Sequence, residues 1–146
     1  MPSLSFREVL HGGFYLLSDP VDERTADLQL AVEVRSLGAF LQSLTANLAG
    51  EVGFEGFADD AYAEGKLWLT PEQRRATYEV SFPGNDGSPY RFRGHKELEL
   101  LNPADALTLL QGSVYDANAR EIGRAVVRFD ARGGLGSLMR SIRLRL

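Results

Sequence analysis

The sequence predicts a mainly β fold, an antiparallel sheet forming a barrel or sandwich of about seven or eight strands with two or three short helices. Three observations carry this. Apolar and polar residues alternate with period two along much of the chain, a turn-rich segment joins two alternating runs, and helical spacing is confined to short stretches.

Taken in order, Phe6 to Leu17 reads as a strand broken at Gly12-Gly13. Leu28, Leu30, Val32 and Val34 share one parity, with Gln29, Glu33 and Arg35 on the other, as in a half-buried strand. Ser36 is a helix N-cap, and Leu37, Phe40, Leu41, Leu44 and Leu48 then fall on one helical face, so a helix over 37–47 is expected to lie over an end of the sheet. Ala49 to Phe57 and Tyr62 to Leu69 are further strands. Ala76, Tyr78, Val80 and Phe82 alternate with Thr77, Glu79 and Ser81, and PGNDGSP supplies the turn before Tyr90 begins the next run. Asn102-Pro103 reads as N-cap and first residue of a short helix carrying Leu107 and Leu110. Residues 113–116 and 122–129 form a late hairpin. The tail GLGSLMRSIRLRL fits a helix through Leu135, Leu138, Met139 and Ile142 and equally a strand through Ile142, Leu144 and Leu146.

At 146 residues, 44% apolar and 25% charged, residues 1–146 are expected to form a single β-rich domain around one core. Sixteen basic residues stand against 20 acidic ones, a net charge of −4, so no global positive field attracts nucleic acid. There is no cysteine, which removes disulfides and thiolate chemistry and fits a reducing compartment. MPSLSFREVL lacks the apolar stretch of a signal peptide, and no run approaches the roughly 20 apolar residues of a transmembrane segment. A cytoplasmic location is the expectation.

Catalytic motifs are incomplete. HGG at residues 11–13 resembles a lipase oxyanion loop but has no G-x-S-x-G elbow to serve, and GGLG at 133–136 does not complete a dinucleotide fingerprint. Asp59, Asp60 and Glu64 lack the order of a calcium loop, and two histidines without cysteine give no transition-metal set. No cofactor, metal or enzymatic activity is expected. The segment YRFRGHKELEL is more informative. Tyr90, Phe92, Leu98 and Leu100 share their parity with Lys96, which therefore points to the apolar side, whereas His95 points out. Lys96 can lay its stem along the core or belong to a ligand site with Trp68 and Phe92. In the tail, Arg140, Arg143 and Arg145 beside an apolar stripe are candidates for binding a partner.

Phe6, Glu8 and Gly12, the stretch DLQLAVEVRSLGAFLQSLTANLAGEVGFEG, EGKLWLT, ATYEVSF and GSPYRFRGHKELEL together resemble the β-rich accessory domain appended to bacterial GMC-type, cholesterol-oxidase-like oxidoreductases. The resemblance runs from about residue 6 to residue 111 and departs after Leu100, at LNPADALTLL. It implies an appended module beside flavin and hydrolase centres, with no catalytic residues of its own. Two function classes follow: a non-catalytic accessory or docking module whose partner is a GMC-type oxidoreductase or hydrolase, and a β-barrel that binds a small apolar molecule such as a lipid or sterol.

Overall fold

The computed structural model describes residues 4–97 and 109–129. Within them the chain runs β1 (Leu4–Leu16), β2 (Asp19–Val34), α1 (Leu37–Ser43), β3 (Thr45–Phe54), β4 (Ala58–Thr70), a 3-10 turn (Pro71–Gln73), β5 (Arg75–Pro83), β6 (Pro89–Glu97), β7 (Leu109–Tyr115) and β8 (Glu121–Phe129). Each strand pairs antiparallel with the next, and β8 pairs with β1, so the sheet is a closed barrel rather than a sandwich. No helix among the described residues is long and apolar enough to cross a membrane.

Alternation produces this directly. In β2, Ala26, Leu28, Leu30, Val32 and Val34 are buried while Asp27, Gln29 and Glu33 are exposed, because successive side chains of a strand point to opposite faces. Eight strands leave an interior just wide enough for side chains to fill. The β1–β2, β3–β4, β5–β6 and β7–β8 hairpins close one end of the barrel; α1 and the 3-10 turn lie at the other. At the hairpin end the Phe54 ring meets Phe14 edge-on at 5.1 Å, stacks on Phe82 at 5.3 Å and reaches Phe92 at 6.0 Å. The wall bends tightly around this core at Gly50 and Gly65, where a Cβ would strike the Gln29 and Glu79 carbonyls of the adjacent strands.

Local differences from the sequence reading have physical causes. β1 is continuous through Gly12-Gly13, and its irregularity comes later, between Phe14 and Leu16. Ser36 caps α1 as expected, its Oγ accepting the Ala39 N–H at 3.1 Å. The helix stops short of 47, however. Leu44 takes the left-handed conformation (φ 56°) and donates its N–H to the Phe40 carbonyl at 2.7 Å, which closes the last turn and releases Ala46 and Leu48 to pair in β3. Of α1, Phe40 alone is buried. The expected helix from Asn102 falls mostly outside the described residues, but Leu110, placed on its stripe, is a buried residue of β7. The tail from residue 130 also lies outside them.

Candidate functional site

Lys96 does face the barrel interior. It is 3% exposed, and its Nζ lies 3.6 Å from the centroid of the Phe129 ring and 5.1 Å from that of Tyr78. Those two rings are 5.8 Å apart, so the ammonium meets the electron-rich faces of two aromatics. Burial pushes the Lys96 amine down to about 8, against the opposing pull of the Glu8 carboxylate toward the charged form.

Glu8, on β1, is the unexpected member. It is 4% exposed, and the Tyr78 hydroxyl donates to its carboxylate at 2.9 Å and 3.3 Å. β1 and β5 are not neighbours in the barrel, so this hydrogen bond is a crossbar through its interior. Burial, and then Glu8, hold the Tyr78 phenol well above its usual range. Small residues make room: Tyr78 stands opposite Gly94, Gly94 opposite Gly112, and Gly112 opposite Ala125. Gly94 therefore serves packing, with no shift of register on either side of it. Chemically the cluster is a set of satisfied groups holding β1, β5, β6 and β8 together.

The three ligand candidates are not brought together. Phe92 belongs to the aromatic group at the hairpin end, Lys96 to the α1 end, and Trp68 to the outside of β4, where the Arg93 guanidinium lies 5.2 Å over its ring. Arg140, Arg143 and Arg145 lie outside the described residues. Glu8 and Tyr78 were missed, although both occupy the apolar parity of their strands. A carboxylate in the series Phe6, Glu8, Leu10, Phe14 was the available signal.

The outer wall carries a second pattern. On β6, β7, β8 and β1 the outward residues include Arg7, Arg91, Arg93, Arg124 and Arg128, against Glu97 and Glu121. On β2 to β5 the balance reverses, with Asp27, Glu33, Glu51, Glu64 and Glu79 against Lys66 and Arg75. A groove of about 440 Å³ runs over this wall and reaches β2, lined among others by Gly13, Glu23, His95, Gln111, Arg124 and Val126. His95, Gln111, Val126 and Gly13 are consecutive partners across β6, β7, β8 and β1, and the Glu23 carboxylate of β2 leans over Gly13, its Oε1 3.2 Å from where a Cβ would stand. Val126 is 48% exposed there.

The arginines are only lightly engaged. Arg91 and Arg93 share Glu79 at 3.4 Å and 3.2 Å, and Arg124 meets Glu121 at 3.1 Å. Such exposed pairs are worth about 0–1 kcal/mol each, so a partner's carboxylate can replace them at small cost. The Ser113 hydroxyl and Arg124 together hold the Glu121 carboxyl below its usual range. No family model, curated protein or solved structure matches the chain.

Proposed function

We propose that this chain is a non-catalytic docking module that works in the cytoplasm beside a larger enzyme, with the outer wall of β6, β7, β8 and β1 as its contact face. The observation that carries the reading is the groove on that wall, where Val126 is exposed beside Arg124 and two residues along β8 from Arg128. The interior supports it from the other side. Phe14, Phe54, Phe92, Leu28, Leu30 and Leu67 are each no more than 1% exposed, and a cavity large enough for water would leave accessible surface on its walls. A packed interior makes a stiff frame, and a stiff frame presents a surface with little ordering cost on association. The likeness to the accessory domain of GMC-type oxidoreductases makes a flavin oxidoreductase of that kind the partner to try first.

The test is a titration of this protein against a purified bacterial GMC-type oxidoreductase, followed by calorimetry. Val126→Asp is expected to weaken the complex at least tenfold with an unchanged melting temperature, while Glu51→Gln on the opposite wall leaves it intact. Equal binding by wild type and Val126→Asp, or no complex at all, would count against the reading.

A further inference from the structure

Resting on that docking reading, we infer that the basic wall receives an extended acidic segment of a partner protein, with two carboxylates spaced either side of an apolar residue, laid along β8.

Spacing comes first. Arg124, Val126 and Arg128 are successive outward residues of β8, in the order cation, apolar, cation. Steps of two residues along a strand are roughly 7 Å, so the two guanidinium-bearing positions lie roughly 14 Å apart with Val126 midway. An extended partner has the same period. A segment of pattern acidic–x–apolar–x–acidic places its carboxylates over the two arginines and its apolar side chain on Val126, which keeps both carboxylates away from Glu23 at Gly13.

Mode of attachment follows from the barrel. Along the groove His95 pairs with Gln111, Gln111 with Val126, and Val126 with Gly13. These strands already have neighbours on both sides, so a partner cannot add there as another strand through its backbone. Recognition must pass through side chains. Arginine suits this, because its planar fork donates two parallel hydrogen bonds to a carboxylate where a lysine offers only a point charge. Only two of the sixteen basic residues are lysines, Lys66 on β4 and Lys96 in the interior, so every outward cation of the basic wall's strands other than histidine is an arginine.

The sign of the wall favours another protein. In a chain of net charge −4 the basic wall is the local exception, and segregated charge steers an acidic partner to one side of the barrel and speeds its encounter. The chain's own acidic wall is complementary too, but copies joined wall to wall would make a head-to-tail contact, which ends in a closed assembly only at particular rotations and otherwise grows as an open filament.

Fluorescence anisotropy with a labelled synthetic peptide, Gly-Glu-Ser-Leu-Ser-Glu-Gly, tests the inference. Binding is expected to weaken at least tenfold in the Arg124→Gln/Arg128→Gln double variant, at least tenfold when both peptide Glu are replaced by Gln, and several-fold between 50 and 300 mM salt. Melting temperature and circular dichroism of the double variant should match the wild type; if they do not, Arg128→Lys serves instead, with a smaller loss expected from the same geometry. Equal affinity for the Gln peptide, no effect of the arginine substitutions, or no binding would each overturn the inference. If the oxidoreductase complex is still sensitive to Val126→Asp, docking on this wall survives such a failure; if that sensitivity is lost as well, both fall. Concentration-dependent self-assembly abolished by the double variant would assign the wall to a second copy and overturn the choice of partner.

Discussion

The two ends of the barrel interior use the same aromatic spacing for different purposes. Around Phe54 the rings lie 5.1 to 6.0 Å apart and meet further rings, Phe82 reaching Tyr90 at 6.3 Å. Near the α1 end Tyr78 and Phe129 are 5.8 Å apart, but they hold the Lys96 ammonium against their faces, and Tyr78 carries Glu8 on its hydroxyl. The hairpin end is stabilised by excluded water and close contact, terms that act without direction. The polar end depends on pairing, where each group offsets the desolvation of another. The first should fail by leaving a hole and the second by leaving a group alone.

The largest expected effect is therefore at the hairpin end. Phe54→Ala removes the ring common to three contacts and should lower stability by about 4 kcal/mol, read from the shift of the urea midpoint at constant slope. The loss should be indifferent to pH between 6 and 10. A loss below about 1.5 kcal/mol would mean that the end repacks freely and is less tightly built than its contacts imply.

Next comes the pH response of the polar end. With Lys96 at about 8 in the folded protein and near 10.5 when unfolded, both states carry the proton below pH 8 and the folded state bears the full cost of the buried charge. Between pH 8 and 10.5 the unfolded chain binds more protons, so stability should rise with pH, by roughly 3 kcal/mol at most. Tyr78 acts in the opposite direction: its phenol ionises more readily in the unfolded chain, so stability should fall again as pH climbs beyond 10. Denaturant melts across pH 7 to 11 should show a maximum near 10, and Lys96→Met should abolish the rise while keeping the fall. A flat wild-type profile would mean that the amine reaches water.

Much of this contrast can be read in the sequence. The inward parity of Lys96 follows from Tyr90, Phe92 and Leu98, and the barrel strands follow from repeated alternation. Parity also places Trp68 outside, because Leu67 and Leu69 take the lumen side, which removes it from the interior ligand site expected with Lys96 and Phe92. Two things were hidden. The hydrogen bond between Glu8 and Tyr78 joins residues 70 apart on non-adjacent strands, and such a distance is set only when the barrel closes. The end of α1 was hidden because Leu44 and Leu48 fit both a helical stripe and a strand, and the strand won by completing the ladders to β2 and β4. The charge of the two walls was legible strand by strand, but a single net charge averages it away.

The smallest effect sharpens the comparison most. Tyr78→Phe keeps the ring that faces Lys96 and Phe129 and removes one hydroxyl, leaving the Glu8 carboxylate short of a donor in a buried site. A loss of about 2 kcal/mol is expected. Glu8→Leu alone takes away other contacts of that carboxylate as well, so its own cost does not isolate the pair. The double-mutant cycle does. If the crossbar works by mutual pairing, removing the hydroxyl from a protein that already lacks the carboxylate should cost under 0.5 kcal/mol, a coupling of about 1.5 kcal/mol. Additive losses in urea melts at pH 7 would show that Tyr78 and Glu8 act independently, and the polar end would then rest on the Lys96 ammonium against its two rings rather than on the crossbar.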